Sequence, residues 1–452
     1  MKRFSSILIA AASLLCAMQA GAATRPHYGG TLRVAVLEAP QSFDPALVSS
    51  PALQSLSQLV FENLVKLDER GVPQPWLAKS WQVEPGNQRW RFQIRSGVIL
   101  SDGTPLDSTA IAASLRASNP QWKIFALGDL VMIESETPEP DLPAELALCR
   151  NGIVHRDQHG ALLGSGPYSV SQWDAAAKHL VLSANNQYWA GRPFLDAIEV
   201  DLGRSYRDQL MLLDLGKNNL VEVAPELIRQ AQSGNRDILT SQPEELLCLV
   251  FARDPQSDAE TQLRTALQRS IDTNTLNNVI FQAGGEPAGG LLPGWLSGYE
   301  FLFPSGASSN LQRARMASPR AALTLAYDSS DTIAHVVADR IALNARDAGI
   351  TLQLVTSENA DVRLMRVPLS SLNLELALNE LARQLQLPQP KFTDNSNAAI
   401  YSAESALLQT HRILPLLHLR NAIAVRGNVH QVTVGADGSW ELGNAWLSTE
   451  MP

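Results

Sequence analysis

The sequence has little of what a catalyst, a metalloprotein or a membrane protein needs. Of 452 residues only three are cysteine, and aromatic residues make up 6%. No cysteine has a second cysteine or a histidine at ligand spacing, which argues against a zinc site. His411 and His418 lie seven apart with Pro415 between them, so no helix face presents them as a metal pair. Gly29-Gly30 and Gly284-Gly285 lack both the phosphate-loop and the dinucleotide glycine patterns. Gly164-Ser165-Gly166 lacks the nucleophile elbow and reads as a turn. The acidic residues are scattered, and none can be nominated as an acid–base pair. No catalytic residue, metal or cofactor is therefore expected. Basic residues are outnumbered 36 to 45, which argues against a nucleic-acid stripe and against adhesion to an anionic membrane. No run beyond the N-terminus approaches the ~20 apolar residues that span a bilayer.

What is present begins with an export signal. Lys2 and Arg3 precede the apolar stretch Ile7 to Ala17, and Ala20-Gly21-Ala22 supplies small residues for cleavage after Ala22 or Ala23. Leu15 before Cys16 is not the small residue a lipoprotein signal requires, so lipidation is not expected. Cleavage leaves 34 basic residues against 45 acidic ones, a net charge of −11, which suits a freely diffusing monomer. Cys149 and Cys248 remain, each in an apolar run. In an oxidising periplasm they can form one disulfide; the plainer reading is two buried thiols at strand positions.

Hydrophobic spacing sets out an α/β chain. Leu32 to Leu37 reads as a first strand, and Leu53 to Leu67 has the spacing of a helix with one buried face. Trp90 to Arg95 alternates as a half-buried strand. Asp107 or Ser108 caps a helix running through Leu115. A strand pair is expected around Ala147 to Val154, a strand at Ile198 to Val200, and a helix at Leu263 to Ile271. Leu323–Tyr327, Ala334–Gly349 and Ile350–Val355 form a βαβ unit with parallel strands and a glycine-capped helix. Trp81, Trp90, Trp173, Tyr188 and Trp189 read as core anchors.

The order of several short motifs is more specific. Gly29-Gly30-Thr31-Leu32-Arg33-Val34, Ser42-Phe43-Asp44-Pro45, Phe61-Glu62-Asn63-Leu64-Val65, Pro75-Trp76-Leu77 and Ser101-Asp102-Gly103-Thr104-Pro105 follow one another. Gly164-Ser165-Gly166-Pro167-Tyr168, Asn185 to Trp189 and Pro193-Phe194-Leu195-Asp196 come next. The series resembles the family 5 extracellular solute-binding proteins, the periplasmic oligopeptide-, dipeptide- and nickel-binding receptors of ABC importers. The resemblance implies an α/β, two-lobed periplasmic-binding-protein type II fold with a hinge. Lobe I would span 24–247, with a subdomain at about 51–162 and a return at 422–452, and lobe II would span 248–421. The hinge strands would lie near Leu246–Phe251 and His418–Ala424. Ligand-contact candidates by resemblance are Glu38, Ala39 and Pro40 at the end of the first strand and Trp122 after the capped helix. On lobe II, Arg363 or Arg366 would face a ligand carboxylate. The implied partners are a peptide or similar small solute and an inner-membrane ABC permease. One departure stands out: Val367 to Leu372 runs directly into the next helix, without the acidic stretch that peptide-binding members use for an amino terminus. A non-transporting sensor or scaffold is the alternative this leaves open.

Overall fold

The computed structural model describes residues 25–233, 236–304, 321–357 and 359–448. The export signal, its cleavage site and Cys16 lie outside the described residues. The chain enters as strand β1 (Thr31–Ala35) and helix α1 (Pro51–Gln58). The Ser50 side chain caps α1 by accepting from Leu53 N, and Pro51 occupies the first turn, where its missing N–H costs nothing. The helix expected to reach Leu67 stops nine residues earlier for a tertiary reason. Leu59 O and Val60 O accept from Tyr168 N and Gly166 N, and Glu62 O accepts from Ile153 N. Carbonyls committed to another segment cannot continue a helical ladder. At Gly164 and Gly166 a Cβ would sit 1.9 Å from Val60 O and 2.3 Å from Leu59 O, so only glycine can flank Ser165.

A four-stranded antiparallel sheet follows: β2 (Ala78–Val83), β3 (Arg89–Ile94), β4 (Lys123–Leu127) and β5 (Leu130–Glu134), in the order β2-β3-β5-β4. Helix α2 (Ser108–Ser118) covers it, capped by Asp107 accepting from Ala110 N. Trp90, Phe92 and Ile94 of β3 point inward together, as the alternation required. Ala147 to Val154 forms no strand pair but a short turn, Cys149–Asn151. Side-chain amides take the backbone groups a ladder would have used: Asn63 Nδ2 donates to Leu146 O (2.9 Å) and Leu148 O (2.8 Å).

One buried carboxylate ties these segments together. Glu62, 3% exposed, accepts from Trp76 Nε1 (2.8 Å), Ser165 Oγ (2.7 Å), Tyr188 OH (2.8 Å) and Trp189 Nε1 (3.0 Å).

The main sheet adds β6 (Tyr168–Asp174), β7 (His179–Ala184), β8 (Ala197–Asp201), helix α3 (Tyr206–Asp214), β9 (Leu220–Val223) and β10 (Asp237–Phe251). After helix α4 (Asp258–Ser270) come β11 (Ala321–Ala326), α5 (Ala334–Asp347), β12 (Ile350–Val355) and β13 (Val362–Val367). Helices α6 (Leu374–Gln384) and α7 (Asn397–Gln409) precede β14 (Ile413–Val425). The strand order is β6-β7-β8-β1-β9-β14-β10-β13-β11-β12. The βαβ unit is parallel as expected, with Leu323 opposite Leu352.

Two long antiparallel strands, β10 and β14, run through both halves of this sheet. Asp237–Thr240 and Ala422–Val425 belong with β9 and β1, whereas Leu246–Phe251 pair with β13. Between them the register slips on either side of Pro243, which has no N–H to give to a ladder. Each half carries its own cores. Leu32, Val34, Leu180 and Ile198 lie on one face of the first half, with Val221 and Leu213 on the other. In the second half Leu247, Leu249 and Phe251 face α5, and Leu246, Cys248 and Val250 face α6 and α7. Leu246 and Leu247 thus pack in the second half, so the crossover precedes the expected boundary at 247. Cys149 and Cys248 sit in different cores as free buried thiols, Cys149 in a turn rather than a strand.

Glu62→Gln keeps the shape but offers one acceptor oxygen to four donors. Unpaired buried donors cost about 1–3 kcal/mol each, so urea denaturation should show a loss of about 2 kcal/mol or more. An unchanged midpoint would remove Glu62 from this role.

Candidate functional site

Where the two halves meet, strand ends bring polar groups of both together around Tyr206. On the first half β1 ends at Ala35, and Glu38 follows; its carboxylate accepts from Ser49 Oγ (3.0 Å) and Ser50 N (2.9 Å). Its carbonyl accepts from Gly203 N (3.1 Å), which places the Glu38-Ala39-Pro40 turn beside the loop leading to Tyr206. Neighbouring β9 brings Glu222 to the same place. This carboxylate accepts from Leu37 N and from Gln209 Nε2 (3.3 Å). Gln209 also accepts from Glu222 N (2.8 Å), so the strand and α3 are clamped by one amide. Burial pushes Glu222 up to about 7, against those hydrogen bonds, and the Glu38 charge adds to the rise. Burial also raises Glu226, just beyond β9, and the Tyr206 phenol, which lies among the charges of Glu222, Arg366, Glu245 and Glu226.

On the second half Arg366 lies beside Tyr206. Its guanidinium donates to Glu245 Oε2 through Nε (3.1 Å) and Nη2 (2.5 Å) and to Asp331 Oδ2 through Nη1 (3.2 Å). Burial pulls its pKa down, but Glu245 first, then Tyr206 and Asp331, outweigh this and raise it. Beside it lies a cavity of about 250 Å³ lined by Leu247, Phe281, Asp328, Asp331, Val337 and Arg366. Glu244 pins the crossover itself: it is 1% exposed, accepts from Leu369 N (3.1 Å) and from Asn421 Nδ2, and burial raises its pKa well above the ordinary range.

Of the candidates, Glu38 lies beside Glu222 and Arg366 beside Tyr206, both where the halves meet, and two others lie elsewhere. Trp122 is 6% exposed inside the subdomain core, packed with Ile124 and Leu115, and has no open face for a ligand. Arg363 stands three positions from Arg366 on a strand, so the two side chains leave opposite faces. Arg363 shares its face with Met365 and Val367, on the α6–α7 side. Arg366 is in place, but its fork is engaged by two carboxylates rather than open to a third. Acidic residues scattered along the sequence gather in the fold: Glu222, Glu226 and Glu245 lie around Tyr206, and Asp331 holds Arg366. Of these only Glu222 left a mark in the sequence, as a charge inside the apolar run Leu220-Val221-Glu222-Val223. A second cavity, about 390 Å³, lies on the outer face of the first half. Arg33 pairs there with Glu199 at 3.4 Å. Among the described residues no group of three His, Cys, Asp or Glu is placed to hold a metal ion. No helix among them is long and apolar enough to cross a membrane.

The raised Glu222 carboxyl carries a pH signature. Its contribution to stability is complete below the ordinary carboxylate range near 4.5 and is lost as pH rises through about 7. Glu222→Gln should therefore shrink the fall in Tm between pH 5 and pH 8; an identical fall in the variant and the parent would contradict this.

Comparison with known proteins agrees with this architecture. The model of the bacterial extracellular solute-binding proteins, family 5, matches residues 72–379. The uncharacterized protein YhjP of Bacillus subtilis is 30% identical over 36% of this chain and 30% of its own length. The nickel-binding protein NikA of Staphylococcus aureus is 24% identical over 50% of this chain and 49% of its own. These matches thus span about half or less of the curated relatives' length. The solved structure of the ABC transporter-associated periplasmic binding protein DppA from Helicobacter pylori, in complex with the peptide STSA, superposes with a TM-score of 0.75 at 15% identity. That match covers 93% of this chain and 99% of the other. The fold is the two-lobed α/β fold of such binding proteins, and the chain belongs to the bacterial extracellular solute-binding proteins, family 5.

Proposed function

We propose that the protein is the periplasmic solute-binding component of an ABC importer. It captures a peptide or similar small solute between two lobes and hands it to an inner-membrane permease, acting as a monomer and making or breaking no bond. The sheet halves are the lobes, and the slip around Pro243 with Leu419–Asn421 opposite is the hinge. The observation that carries this reading is the convergence of polar groups from both halves around Tyr206, in a chain of this family. Solute seated there would favour the closed state through contacts with both walls. Glu38, Glu222, Glu226, Glu245 and Asp331 outnumber Arg366, so the gap suits a solute bearing an amino group better than one presenting a carboxylate.

A non-transporting sensor or scaffold is the second reading. It is favoured by Arg366, whose guanidinium is already engaged by the protein's own Glu245 and Asp331.

Native mass spectrometry of protein purified from periplasm without denaturation separates the two. The receptor reading expects a co-purifying solute: mixed peptides, or one defined mass of another kind. A bare protein mass that persists after soaking with a peptide library would overturn it in favour of the scaffold.

A further inference from the structure

The two halves also meet away from the connecting strands. Helix α6 begins at Leu374, and its entry lies against the subdomain. At Gly71 a Cβ would lie 2.4 Å from Leu372 O, so backbone meets backbone. Leu67, Ala144 and Leu148 of the subdomain pack on Leu376 of α6. Arg150 Nη1 reaches Glu380 Oε2 at 2.9 Å, while its Nη2 holds Glu145 Oε1 at 2.5 Å. Arg383 closes the row on Glu380 at 2.6 Å.

Within this contact Asp141, at the start of the short helix Leu142–Glu145, neighbours Glu375 in the first turn of α6, where Ala144 and Leu148 pack on Leu376. Asp141 Oδ2 and Glu375 Oε2 are both shielded from water, and neither accepts from any other donor. Two neighbouring carboxyls, each with a buried oxygen and no donor, are tolerated together only when one of them carries a proton. We propose that this contact is a proton-dependent latch: the halves close with one proton shared by Asp141 and Glu375, and they open when that proton is lost to solvent. The latch stands independently of which solute, if any, the gap binds.

The surrounding charges do not replace that proton. Glu145 and Arg150 face the contact from the subdomain and Glu380 and Arg383 from α6; they pair with one another. Asp68, in the turn that carries Gly71, is bonded to Arg70 N, Val72 N and Gln74 Nε2. Burial first, then the Asp141 charge, pushes Glu375 up to about 8. Once apart, Glu375 returns to the ordinary carboxylate range near 4. Closure therefore takes up a proton between those limits, and each pH unit in that window shifts the open-to-closed ratio up to about tenfold. The closed form is favoured at low pH and weakens as pH rises through about 8.

The test is a distance measurement on the full chain. Spin labels at the exposed positions Lys123→Cys and Lys391→Cys report the separation of subdomain and second half, while the native thiols stay buried. A longer-distance population should grow between pH 5.5 and pH 9. In Glu375→Gln and in Asp141→Asn, the amide donates to the remaining carboxylate at every pH, so that growth should vanish. Circular dichroism checks that each variant is folded. A pH-independent distance in the parent, or the same pH response in both folded variants, would overturn the latch.

Discussion

Glu62 is the point on which the first half depends. Four donors from three segments of the chain, Trp76, Ser165 and the adjacent Tyr188 and Trp189, converge on its two oxygens. A buried carboxylate is tolerable only when fully hydrogen-bonded, and here the requirement sets geometry. It fixes the turn after α1, pulls the Gly164–Tyr168 segment against Leu59 and Val60, and so aligns β6 with the main sheet. The motifs that carried the family resemblance are, in large part, the donors to this one group and the glycines that let them approach it.

The second constraint is the crossover. β10 and β14 are buried along most of their length, and a regular ladder through both halves would make one rigid sheet. Pro243 breaks that regularity. Glu244 then ties the break to Asn421 and to Leu369 beyond β13, while adjacent Glu245 turns the other way to hold Arg366. One dipeptide therefore joins the strand pair to the second half and supplies part of the gap wall.

Local signals in the sequence were legible where local chemistry decides. The Asp107 cap, the alternation at Trp90–Ile94 and the βαβ unit all stand as expected. The helix drawn to Leu67 and the strand pair drawn at Ala147 failed for one reason: their backbone groups are taken by distant partners, Gly166, Tyr168 and Asn63. The site was legible in part. The turn at Glu38 and the strand bearing Arg366 were reached through family likeness. Which of Arg363 and Arg366 enters the gap follows from strand parity only once the core faces are known. Glu245 and Asp331 gave no signal, because their partner is a side chain more than thirty residues away in each case.

If the protein is a receptor, a solute occupies the space between the halves. A crystal structure of protein purified from periplasm without unfolding tests it most directly. The account predicts electron density for a bound molecule between the Glu38–Tyr206–Glu222 wall and the Asp331–Arg366 wall. A gap filled only by the protein's own side chains, in crystals of protein soaked with a peptide library as well, would contradict it.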